Sequence, residues 1–166
     1  WQLYRDVRLA ALKDAPEAFV ARFEHEASYD DGFWRERMIR AHRFVAERGD
    51  ELVGLVCLGL HNEDPETGEV FGLWTAPKVR GEHAAWGLVS AAGRKAAEDG
   101  CKQLYYWAGS DNASAVGFAS SFGFRPTEER RPVRVAEGAT EKDADEVAMV
   151  LPLAADPSRS PNPYYE

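Results

Sequence analysis

The stretch Glu69–Ala97 constrains this chain more than any other. A short apolar run, Val70-Phe71-Gly72-Leu73-Trp74-Thr75, breaks at Ala76-Pro77 and restarts beyond Arg80-Gly81 with helical periodicity. The pattern predicts a strand, a loop and a helix. Ala85, Leu88, Val89, Ala92 and Ala96 form one apolar stripe of that helix, and Gly100 stands where a helix-ending glycine belongs. A helix that follows directly on a strand aims its unsatisfied N–H groups, and the positive end of its dipole, at the connecting loop. That arrangement suits a phosphate-bearing ligand.

Composition narrows what such a unit can belong to. With 166 residues, 45% of them hydrophobic, the chain is long enough for one domain with its own core, expected over residues 1–153 and followed by a Pro/Ser-rich tail over 154–166. The longest apolar run, Leu52–Leu60, is too short to cross a bilayer, and no signal-type segment precedes it. The expectation is a protein without a membrane partner. Cys57 and Cys101 are too few for a zinc site or a disulfide framework, so no metal is expected and the two reduced thiols fit a cytoplasmic location. A formal net charge of −8 disfavours nucleic acid, which needs a basic face, and mildly favours a cationic partner such as an amine. The chain starts at Trp1 inside a helix-like segment, so a further segment is expected upstream, such as a first strand or another domain.

Taken in order, Leu3, Val7, Ala10 and Ala11 share a helical face opposite Arg5, Asp6 and Arg8, which predicts a helix over residues 1–13 ending before Pro16. Glu24, His25 and Glu26 lie between Phe23 and Tyr29, either on a solvated face or over a cleft. Asp30-Asp31 caps a second helix carrying Trp34, Met38 and Ala41, with Arg35, Arg37 and Arg40 towards water. Arg43–Glu47 and Leu52–His61 read as an antiparallel hairpin closed by Arg48-Gly49-Asp50-Glu51. Asn62–Gly68 is a second turn, leading into the strand at Glu69. Gln103–Ala108 is a further strand, reached by a helical crossover and therefore parallel to the Glu69 strand. Asp111 or Asn112 caps a short helix closed by Gly123. Pro126 and Pro132 make Arg125–Val135 an irregular or edge strand. Glu137–Glu146 is acidic and turn-like, and Val147, Met149 and Leu151 mark a last strand.

The phrases RLAALKDAPEAF, FVAERGDELVGLV, GLWTAPKVRG and DNASAVGFASSFGFRPTEE, in this order and on these elements, resemble the GNAT acetyltransferase superfamily of small bacterial-type enzymes over nearly the whole chain. The resemblance implies an α/β fold, an α+β arrangement with a mostly antiparallel sheet, a splayed parallel strand pair and flanking helices. It also implies acetyl-CoA as acyl donor. Backbone groups of Leu73, Trp74 and Thr75 would pair with the pantetheine amides as an added strand would, and a strand N–H would polarise the thioester carbonyl. The loop and helix start, Arg80, Gly81, Glu82, His83, Ala84, Ala85 and Trp86, would hold the pyrophosphate. Asn112 matches an asparagine that helps hold the cofactor arm.

The sequence departs from the family pattern at three positions. His83 stands at the central glycine of Q/R-x-x-G-x-G/A, where it must take a compatible helical conformation, crowd the phosphates or contact one through a protonated imidazole. The alternative is that Glu82 and His83 simply open the helix. Ala119 replaces the tyrosine that protonates the leaving thiolate in N-x-x-A-x-x-x-Y-x-x-x-G-F, whereas Asn112, Ala115, Gly123 and Phe124 match. Trp107 replaces the glutamate base on the second splayed strand. Substitute bases are Glu69, Glu24, Glu26 and His61, each also readable as an ordinary polar side chain.

The expected function is transfer of acetyl to a primary amine, on a small molecule or a peptide, directly in a ternary complex. Neither cysteine is followed by a His, and no G-x-S-x-G elbow occurs. The rival expectation, carried by His83, Trp107 and Ala119, is a catalytically impaired CoA-binding or interaction module. Homodimer formation stays open on either reading.

Overall fold

The computed structural model describes residues 1–134 and 144–153. Its helices are α1 (Gln2–Asp14), α2 (Phe23–Ala27), α3 (Asp31–Arg40), α4 (Ala84–Glu98) and α5 (Ala113–Phe122). Its strands are β1 (His42–Arg48), β2 (Glu51–Leu60), β3 (Thr67–Thr75), β4 (Gln103–Gly109), β5 (Arg125–Pro132) and β6 (Asp145–Pro152). The strands form one sheet in the order β1-β2-β3-β4-β6-β5. β3 and β4 are parallel, and β1/β2, β4/β6 and β5/β6 are antiparallel. This is the mixed, mostly antiparallel α/β arrangement with one parallel pair that the sequence implies. The acidic stretch up to Asp143 and the tail after Leu153 lie outside the described residues.

The chain divides into two compact units. The first holds Trp1–Gly59 and Phe71–Ala92. Tyr4, Val7 and Ala11 of α1, with Trp34 of α3, pack on Val53, Leu55 and Cys57 of β2 and on Trp74. The α1 stripe is therefore rotated from the predicted one. Leu3 is 56% exposed while Tyr4 and Leu12 are buried, because the tyrosine ring packs edge-on to Trp34 at 5.8 Å. Gly54 of β2 faces α4, and a Cβ there would lie 2.9 Å from Leu88 Cδ1 and 3.2 Å from the Trp74 carbonyl. Only glycine lets the helix approach the strand this closely. The β1/β2 turn is Gly49-Asp50, one residue tighter at each end than expected, with Gly49 at φ +60. Asp30 caps α3 by accepting from the Phe33 N–H at 3.0 Å.

The second unit holds Leu60–Val70, Gly93–Val133 and β6. Leu104 and Ala108 of β4, Ala148 and Met149 of β6, and Phe122 and Phe124 beside α5 form its core. β6 inserts between β4 and β5, which leaves the proline-bearing β5 on the edge as expected, with an irregular register between Pro126 and Arg130. After α4, Cys101 N–H bonds to Ala96 C=O and Gly100 N–H to Ala97 C=O, with Gly100 at φ +92. This Schellman closure satisfies carbonyls that the helix leaves unpaired. Asn112 caps α5 by accepting from the Ala115 N–H at 3.1 Å, and Gly123 ends it at φ +122.

Candidate functional site

The loop between β3 and α4 is where the geometry of a phosphate site would have to be found. β3 carries Gly72 at φ +64, runs to Thr75, and is followed by a single 3₁₀ turn, Pro77–Val79. Gly81 sits at φ +86 and His83 at φ +63, immediately before α4. Thus His83 does not take the right-handed helical conformation. It adopts the left-handed backbone that a glycine would take there without strain. Its carbonyl accepts from the Gly87 N–H at 3.0 Å, the first bond of α4, so His83 also opens the helix. The N–H groups of Ala84 and Ala85, in the turn before that bond, have no acceptor inside the helix by its geometry.

The Arg80 N–H and one of the expected donors, the Glu82 N–H, are spent within the loop. The Arg80 N–H bonds to Pro77 C=O at 3.3 Å and the Glu82 N–H to Val79 C=O at 3.1 Å, both closing local turns. Their side chains are engaged as well. Arg80 donates to Asp14 at 3.0 Å, and Glu82 accepts from Arg48 at 2.9 Å. Asp14 also accepts from the Trp74 indole at 2.9 Å, so one carboxylate holds the end of β3 and the loop arginine together.

The four candidate bases fall in three places. Glu24 is exposed on α2. Glu26 is 2% exposed and each of its oxygens accepts from both Arg8 and Arg37, at 2.9–3.1 Å. Burial pushes its pKa up, but the hydrogen bonds and charges of Arg8 and Arg37 outweigh burial and hold it below the usual value. Glu26 is the centre of an ion cluster, and a carboxylate with both oxygens committed to two guanidiniums is a poor proton acceptor. Arg8 and Arg37, expected on solvated faces, are its partners. The sequence alone could not pair them, because they lie on three different helices.

His61 and Glu69, by contrast, come together. His61 Nδ1 lies 3.0 Å from Glu69 Oε2, and His61 Nε2 lies 3.1 Å from Asn62 Nδ2 and 3.6 Å from Glu129 Oε1. The ring stacks on Tyr105 at 4.4 Å. Trp107, on the same face of β4, is covered by the Arg131 guanidinium at 4.1 Å. Glu129 and Tyr105 were not singled out by sequence, since nothing in their neighbours marks them.

Over residues 8–124 the chain matches the model of the acetyltransferase (GNAT) family. The chain belongs to that family. Solved structures with the same fold include the ribosomal-protein-alanine N-acetyltransferase of Brucella melitensis, at 21% identity and TM-score 0.72, over 92% of this chain and 96% of that one. An N-acetyltransferase of Staphylococcus aureus Mu50 gives 16% identity and TM-score 0.71 over 93% and 95%. A GNAT acetyltransferase of Elizabethkingia anophelis with acetyl-CoA bound gives 19% identity and TM-score 0.59 over 75% and 84%. No curated protein sequence matches significantly. Among the described residues no helix is long and apolar enough to cross a membrane, and no cluster of His, Cys, Asp and Glu could hold a metal ion.

Proposed function

We propose that this GNAT-family protein transfers acetyl from acetyl-CoA to a primary amine, directly in a ternary complex. The observation that carries the reading is the β3–α4 loop. Gly81 and His83, both at positive φ, lead from β3 and its 3₁₀ turn into the first turn of a long helix, whose leading N–H groups have no acceptor within the helix and suit a pyrophosphate. When bound, acetyl-CoA supplies an activated acyl group. The chain contributes the N–H groups of Gly81, His83, Ala84 and Ala85 towards phosphate, with Trp86 beside them. It contributes the backbone of Leu73, Trp74 and Thr75 towards the pantetheine arm. In support of that edge, the parallel register of β3 with β4 covers Thr67↔Gln103 to Val70↔Tyr106, while β3 runs on to Thr75. The side chain of Asn112 is engaged as a helix cap through its oxygen, which leaves its NH₂ for the cofactor arm.

Direct transfer fits the cysteines. Cys57 and Cys101 are both buried, and burial pushes both thiols up, away from the thiolate a covalent route needs. The acidic surface favours a cationic acceptor, and a soluble amine in the cytoplasm is the simplest one. The rival reading, a CoA-binding module of weak or no activity, is favoured by the engagement of Arg80 with Asp14. Calorimetric titration with acetyl-CoA followed by a CoA-release assay on primary amines tests both. Binding with turnover supports transfer, binding without turnover supports the CoA-binding module, and absence of heat at high cofactor concentration sinks the transfer reading.

A further inference from the structure

We propose that His61 is the proton acceptor of the transfer and that Glu69 positions it; this rests on the acetyl-transfer reading above. A carboxylate oxygen only accepts hydrogen bonds, so the 3.0 Å contact with Glu69 requires the proton on Nδ1 and leaves the lone pair on Nε2. The Asn62 amide, donating to Nε2 at 3.1 Å, fits the same tautomer. An amine nitrogen can displace this exposed donor. The imidazole is 13% exposed, which leaves it reachable, and stacking on Tyr105 fixes its plane.

Charge placement favours the state after proton uptake. An imidazolium would have Glu69 at 3.0 Å on one side and Glu129 at 3.6 Å on the other. The Glu129 contact is beyond hydrogen-bond reach, and its attraction grows when Nε2 takes a proton. Interactions that strengthen as charge develops lower the barrier, unlike those equally strong in the ground state. The segment that carries the ring is strained, since Asn62 (φ 49) and Glu63 (φ 60) are consecutive non-glycine residues in the left-handed region. Such strain persists only where the surroundings fix the backbone, and it is frequent at catalytic groups.

The step balances simply. The amine nitrogen attacks the thioester carbonyl carbon, a C–N bond forms, and the C–S bond breaks with its electron pair leaving on sulfur. The proton lost by nitrogen moves to His61 Nε2 and from there to solvent. Glu69 keeps its charge throughout.

The test uses the full chain, acetyl-CoA and a panel of primary amines. His61→Gln is expected to lower kcat by about 10² to 10⁴, the usual worth of general-base help, while the calorimetric Kd for acetyl-CoA stays within about twofold. Free imidazole should partly restore His61→Gly. Glu69→Gln should lower kcat with the amine KM unchanged. It should also abolish the Nδ1-protonated signature of the neutral ring in long-range ¹H–¹⁵N NMR, a readout independent of activity, and Glu69→Asp should recover part of both. A folded His61→Gln protein with wild-type kcat, or a ring whose tautomer ignores Glu69→Gln, overturns the dyad alone. A wild-type protein that fails to bind acetyl-CoA or to acetylate any amine overturns the function and the dyad together.

Discussion

The indole of Trp74 donates to the carboxylate of Asp14 across 2.9 Å, tying the end of β3 to the last turn of α1. The same oxygen accepts from Arg80 at 3.0 Å, so under the proposed function Asp14 would compete with a phosphate for the loop arginine. Asp14→Asn keeps an acceptor for the indole and removes the charge that holds Arg80. The expected outcome is tighter acetyl-CoA binding by calorimetry. Asp14→Ala should instead strand the indole N–H and cost about 1–3 kcal/mol of stability in urea unfolding.

His83 at φ +63 stores backbone strain in the β3–α4 loop. His83→Gly is expected to raise stability by about 1 kcal/mol and to strengthen acetyl-CoA binding. Unchanged or weaker binding would mean that the imidazole contributes contacts of its own. His83→Ala, which keeps a Cβ and loses the imidazole, should lack the stability gain.

Glu26 makes a signed prediction about pH. Its folded pKa lies below the ordinary value, so its contribution to stability is complete above about pH 4.3 and is lost as pH falls through the lower folded value. Glu26→Gln, which resembles the protonated carboxyl, should be about 3–5 kcal/mol less stable than wild type at pH 7. The gap should narrow in acid. Urea unfolding at pH 7 and below pH 4 checks both the size and the direction.

The buried thiols predict chemical silence. Cys57 is also in contact with Arg43 at 2.8 Å, yet burial is the larger influence and its pKa is raised. Native protein should react slowly with a disulfide reagent at pH 7, and an alkylating agent should leave acetyl transfer intact. Rapid inactivation by stoichiometric alkylation would contradict direct transfer.

Features set by neighbouring residues were legible in the sequence. The Asp30 and Asn112 caps, the Gly100 and Gly123 helix ends and the edge position of β5 all follow from one residue type in a short local pattern. The buried face of α1 was misjudged because Tyr4 counts as half polar in a periodicity argument, although its ring has Trp34 to pack on. The Arg8–Glu26–Arg37 cluster was hidden because three helices must fold before those side chains meet. The convergence of Glu129 on His61 has the same origin. His83 was identified as a departure, but its left-handed backbone is set by the loop as a whole and leaves no trace in residue type.

The Glu26 cluster also limits the order in which this chain can change. Losing the carboxylate leaves two partly buried guanidiniums facing each other, and losing either arginine leaves the buried carboxylate underpaired. Replacing all three together with apolar residues of similar volume is the far milder event. Single steps are barred while the triple step is open, so these positions are epistatically locked. They would resist substitution as stubbornly as catalytic residues do, for reasons of solvation that have nothing to do with acetyl transfer.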